Sequence, residues 1–193
     1  MRRLVPFLVV MFALLAFAPA VSADTTPSSP RESYESVGFD AFNSDCDART
    51  CTDTYIYAQQ YTTSSGDTFA YVCVDQWTYS LRNGRGSGSS GCVESVSLTV
   101  AGNLSSASLA PTEIGLCDQR RCTDVIVSAE LVGTGEASTF RGRFTERDGT
   151  CTFTYSDSGT RQFATGTLTL DGATIAVDGS IYSSKTTFTS RCK

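Results

Sequence analysis

Cys46-Asp47-Ala48-Arg49-Thr50-Cys51-Thr52-Asp53 returns 71 residues later as Cys117-Asp118-Gln119-Arg120-Arg121-Cys122-Thr123-Asp124, with six of the eight positions identical. Self-similarity at a fixed offset is the mark of a structural unit used twice. The match extends outward from the phrase. Thr68-Phe69 corresponds to Thr139-Phe140 at the same offset, and Leu98-Thr99-Val100 to Leu168-Thr169-Leu170 one residue short of it. Two sequence-similar units follow, about 44–114 and 115–193, of roughly four to five strands each. Neither is large enough to hold a good core alone, so the pair is expected to share one.

Ser and Thr supply 51 of the 193 residues and Gly 16, Thr recurs at alternate positions, and no window keeps a helical apolar period. That pattern predicts strands and turns. A first strand is expected over Ser33 to Phe42. Ser64-Ser65-Gly66-Asp67, Asp148-Gly149 and Asp171-Gly172 read as hairpin turns, Asp-Gly accepting the positive φ angles of a type I′ turn. A two-residue turn at Asp171-Gly172 sets Leu168 opposite Ile175 and Gly166 opposite Val177, which gathers apolar residues on one face. Ala101-Gly102-Asn103 similarly brings Val96, Leu98 and Val100 against Ala107 and Leu109. The expected fold is all-β: an antiparallel two-sheet sandwich or partly closed barrel of about ten strands. An immunoglobulin domain does not fit, because Trp77 follows Cys73 by only four residues.

Aligning the copies also assigns faces. Ile56, Ala58 and Gln60 correspond to Val127, Ala129 and Leu131, an apolar set expected to point inward. Phe69 and Cys73 correspond to Phe140 and Phe144 and are expected inward, with Trp77 and Tyr79 on their side. Ala70, Val72 and Gln76 correspond to Arg141, Arg143 and Arg147 and are expected outward. Tyr55, Tyr57 and Tyr61 share the outward parity of the preceding strand.

Residues 1–23 read as a secretory signal peptide: Arg2 and Arg3, then apolar Leu4 to Phe17, then the small-residue site Val21-Ser22-Ala23. Residues 24–32 read as a flexible polar tail, and 33–193 as one disulfide-stabilised β domain, secreted and extracellular. Removal of residues 1–23 takes two arginines and no acid, so the net charge falls from −5 to −7. An acidic chain with scattered Arg and Lys argues against nucleic acid and anionic membranes as partners. No membrane span remains after cleavage, and a monomer is the default.

All eight cysteines lie after the expected cleavage site, and an even count in an exported chain implies disulfides. A bond closing each short loop is favoured, Cys46–Cys51 and Cys117–Cys122, and the repeat then pairs Cys73 with Cys92 and Cys151 with Cys192, which keeps every bond inside one unit. Export sets these pairs against a four-thiolate zinc site, so no metal is expected. The chain contains no His. Ser-His-Asp and Cys-His chemistry are therefore excluded, and so is the commonest metal ligand. Asp45, Asp47, Asp53, Asp118 and Asp124 flank the short Cys loops. They suit turn formation, with Arg49 and Arg120 as ion-pair partners, better than calcium, for which no EF-type loop is present. Glu94, Glu113, Glu130, Glu136 and Glu146 are the carboxylates available for glycoside hydrolysis, which needs two facing one cleft. Gly86-Ser87-Gly88-Ser89-Ser90-Gly91 fits G-x-G-x-x-G but opens no helix, so it reads as a flexible hairpin loop and no cofactor is expected. Asn103-Leu104-Ser105 is a glycosylation sequon, meaningful only in a host that glycosylates its exports.

The function expected from these residues is a non-catalytic secreted surface or binding module for a glycan or a protein. Tyr55, Tyr57 and Tyr61 are the candidate contact strip. One alternative is a protease inhibitor presenting a disulfide-pinned loop, Cys46–Cys51 or Cys117–Cys122. The other is a carboxylate-dependent hydrolase.

Overall fold

A computed structural model describes residues 31–118 and 120–192. The expected signal peptide and nearly all of the expected tail lie outside the described residues. The first strand already begins at Arg31, inside the segment read as tail.

Nine strands follow in order: β1 (Arg31–Cys46), β2 (Thr50–Thr63), β3 (Thr68–Ser80), β4 (Gly86–Glu94), β5 (Leu98–Val100), β6 (Ser106–Cys117), β7 (Cys122–Asp148), β8 (Cys151–Leu170) and β9 (Ala173–Cys192). They form one antiparallel sheet ordered β4-β3-β2-β1-β9-β8-β7-β6-β5, and an added β4–β6 pairing turns eight of them into a ring. The partly closed barrel is thus the observed form of the all-β fold. Its closing seam is narrow, a single register pair at Ser90 and Cys117. At the seam, a Cβ on Gly91 would stand 2.2 Å from the Gly115 carbonyl oxygen. Only glycine lets β4 approach so closely. Gly86 to Gly91 is therefore strand and not the flexible loop expected from composition.

Turn chemistry sets the register. Asp171 and Gly172 have φ of 48° and 80°, the two positive values of a type I′ turn, and Leu168 faces Ile175. At the preceding hairpin Asp148 pairs with Cys151, so the two turn residues are Gly149 and Thr150, one place later than expected. The four disulfides join Cys46 to Cys51, Cys73 to Cys92, Cys117 to Cys122 and Cys151 to Cys192, the pairs expected from short-loop closure and the repeat. Each joins residues directly opposite each other in the ladder.

The ring is filled by alternate residues. Phe39, Ile56, Val72, Val74, Ile114, Val127, Leu131, Leu168 and Ile181 are fully buried. This corrects part of the face assignment. Ile56 pairs with Val74 and Ala58 with Val72, so the even residues of β3 line the core. Phe69 and Trp77 point outward, each about half exposed, at 51% and 49%. The aligned residues do share a face there, Phe69 with Phe140 and Val72 with Arg143, but reading apolar as inward inverted the two faces, for a physical reason. β7 pairs with β6 only as far as Val132, and its register to β8 shifts between Gly133 and Ala137. Phe140 and Phe144 lie beyond that bulge, where no barrel interior remains, so they are no guide to Phe69 and Cys73.

The short Cys loops are braced by their acids. Asp47 Oδ1 accepts from the Arg49 and Thr50 amides at 2.6 Å each, and Asp118 Oδ1 from the Arg120 and Arg121 amides at 2.6 and 2.8 Å. Arg49 and Arg120 thus contribute main-chain donors. The ion pairs found among the described residues are Arg161–Asp40 and Lys185–Glu35, so the expected Arg49 and Arg120 pairs are not formed. Those amide bonds hold both carboxyls below the usual 3.8. A lowered folded value means that the brace is present at neutral pH and is lost as pH falls through that value. Amide proton shifts of Arg49 and Arg120 should therefore move with midpoints below 3.8. Midpoints at the ordinary value would show that the bonds do not form in solution.

Candidate functional site: a hydroxyl and arginine face

Past the bulge, β7, β8, β9 and the start of β1 continue beyond the ring as an open sheet. Side chains keep alternating, so the face continuous with the barrel interior can be followed outward. From Gln162 it runs along β8 through Thr160, Ser158, Ser156, Thr154 and Thr152. Register fills in its rows. Arg141, Ser158 and Lys185 make one, and Arg143, Ser156 and Thr187 the next. Thr145, Thr154 and Thr189 follow, then Arg147, Thr152 and Arg191. The whole face runs nine residues, from Thr139 to Arg147, or about 27 Å.

No apolar residue interrupts these rows. Arg141, Arg143, Arg147, Lys185 and Arg191 are all exposed. The acid standing among them is Glu35, whose Oε1 is 3.1 Å from Lys185 Nζ. Two shallow cavities share Lys185. One, of about 330 Å³, is lined by Arg141, Ser156, Ser158 and Thr187 among others. The other, of about 230 Å³, is lined by Ser33, Glu35, Thr62 and Thr63 among others. Charge that looks scattered in sequence is gathered here, in a chain whose net charge is −5. Local potential over this face is positive, and the Ser and Thr hydroxyls offer donors and acceptors between the cations.

The tyrosines occupy the opposite, outer face and are spent on one another. Tyr57 stacks on Tyr182 with centroids 6.3 Å apart, and Tyr61 on Phe69 at 5.4 Å. Gln59 Oε1 accepts from Tyr71 Oη at 2.9 Å and also from Tyr57 Oη. Burial pushes the Tyr57, Tyr71 and Tyr182 phenols up, so they remain neutral. Tyr55 lies on the same face and its phenol is raised likewise by burial. Three outer-face aromatics lie over cross-strand glycines: Tyr182 on Gly38, Phe140 on Gly159 and Trp77 on Gly88. A Cβ at Gly38 would come within 2.7 Å of Tyr182 Oη. This is cross-strand packing on a sheet surface.

Candidate catalytic carboxylates are not brought together. Glu94 faces Tyr71, Glu113 faces Ile126, Glu130 faces Ser108, and Glu146 faces Phe153. Asp53 is engaged by Ser44 Oγ at 2.6 Å. No cluster of three or more metal-ligating side chains occurs among the described residues, and no helix there is long and apolar enough to cross a membrane.

The chain matches no protein-family model, no curated protein and no solved structure. The hydroxyl and arginine face was missed in the sequence because its cations come from separate strands. The signal that marks it is the Ser and Thr alternation of β8 and β9 opposite the Arg141, Arg143, Arg147 series.

Proposed function

We propose that the chain is a non-catalytic exported binding module, and that its hydroxyl and arginine face takes an acidic polysaccharide. The observation that carries this reading is five cations against one acid on a face otherwise lined by Ser and Thr. Sulfate or carboxylate groups suit the arginine forks, and sugar hydroxyls suit the Ser and Thr rows. Net negative charge elsewhere repels a polyanion that strays from the face. The inhibitor reading has less support. Each Cys loop is a tight turn closed by its own backbone bond, Asp47 N to Thr50 O and Asp118 N to Arg121 O at 2.9 Å each, leaving no extended segment to enter a protease cleft.

Heparin and alginate are the probes, with neutral dextran as the control. Both acidic polymers should bind and dextran should not. The double change Arg143→Glu and Arg147→Glu should weaken binding at least about tenfold, since each loses an attractive charge and gains a repulsive one. Binding should fade as salt rises from about 0.1 to 1 M, where the screening length drops from about 10 to 3 Å. Equal retention of dextran, or acidic-polymer binding untouched by the double change, would remove the proposal.

A further inference from the structure

β7 carries an open edge. From Ser138 to Asp148 it pairs with β8 on one side and with no strand on the other among the described residues. All of 141–150 is exposed, and Phe144 is 56% exposed. The register says which groups lie open. A two-residue turn makes Asp148–Cys151 a hydrogen-bonded pair, so the even residues of this stretch bond to β8. The I′ turn at Asp171-Gly172 gives the same alternation through Leu170–Ala173. Thr139, Arg141, Arg143, Thr145 and Arg147 therefore direct their N–H and C=O groups to the open edge. An edge this long, with neither proline nor cover, is a template for another strand.

Charge selects the partner. Any antiparallel self-pairing centred between Gly142 and Thr145 sets an arginine opposite an arginine, which is unfavourable. A strand with acids at alternate positions would instead meet Arg141, Arg143 and Arg147 on one face. Apolar residues at its other positions would meet Phe140 and Phe144 on the reverse. We propose that the β7 edge binds an extended segment of a partner protein, antiparallel, with alternating acidic and apolar residues. The main-chain contact is made at the edge and not on the polysaccharide face, although the side chains of Arg141, Arg143 and Arg147 serve both.

The probe is the peptide Glu-Val-Thr-Val-Glu-Val-Glu, compared with its block rearrangement Glu-Glu-Glu-Val-Val-Val-Thr, by fluorescence anisotropy on the whole protein. The alternating peptide should bind at least about tenfold tighter than the block form, because only it matches the two faces of the edge. Thr145→Pro removes one open-edge N–H and no main-chain β7–β8 bond, so the protein should melt normally and lose the peptide. Arg143→Glu should reverse the preference toward a peptide with Lys in place of Glu. Equal binding of the two peptides would overturn the proposal. So would peptide binding unaffected by both variants, or a dimer in sedimentation that Thr145→Pro dissolves, which would assign the edge to a second copy.

Discussion

A chain ending at Gly115 is expected to show no cooperative melting and to aggregate. It keeps Phe39, Ile56, Val72 and Val74 but loses Val125, Val127, Leu131, Leu168 and Ile181, which pack in the same cluster. Burial of those five side chains is worth about 8–15 kcal/mol at 1.5–3 each, against a total stability of about 5–15 kcal/mol for a domain. It also loses β9, which pairs with β1 from Arg31–Thr189 to Phe42–Asp178. β1 and the cut β6 become bare edges, and the apolar interior of half a ring is opened to water. Circular dichroism melting and sedimentation test this. A monomeric half with a sharp transition would show that each half has its own core.

Replacing Tyr55, Tyr57 and Tyr61 together by Ser should collapse stability rather than spare it. Tyr57 alone stacks on Tyr182, tilts against Tyr71 at 5.7 Å and bonds Gln59. Its removal should cost about 3–5 kcal/mol, the range for deleting a packed aromatic ring. Tyr182→Phe supplies the contrast. The Tyr182 hydroxyl is buried without a hydrogen-bond partner, so losing it while keeping the ring should be neutral or stabilising by about 1 kcal/mol. Urea titrations measure both. A triple variant that keeps its midpoint but loses a glycan would return the tyrosines to the binding role first expected of them.

Where local chemistry decides geometry, the sequence is sufficient. Asp171-Gly172 announces its turn because few dipeptides accept two positive φ values, and the Leu168–Ile175 register follows. The cysteine pairs follow from closing the two short loops and keeping the remaining bonds inside one unit. What the residues hide is where the ring stops. Thr139 to Asp148 alternates as any strand does, and only the loss of β6 as a neighbour after Val132 turns an interior position into an open one. Hence Phe140 and Phe144 look like core while Val72, matched to Arg143, looks like surface. The Gly86 to Gly91 segment misleads in the opposite direction: the composition of a linker serves the close backbone approach of Gly91 to Gly115 that shuts the ring.

The order of the ring constrains when it can form. β1 lies between β2, its neighbour in sequence, and β9, whose partner Thr189 is 158 residues from Arg31. Contacts so remote in sequence fold slowly, since the intervening loop must be closed before they are gained. The four disulfides shorten that loop but do not close it, since none links β1 or β2 to β9 and the widest spans a separation of 41. Oxidation can therefore run ahead of assembly, fixing hairpins one at a time while the ring stays open. A chain made from its N-terminus has no means to complete its barrel until β9 has been made. Refolding of the fully oxidised chain should accordingly be limited by the meeting of β1 with β9 rather than by disulfide exchange.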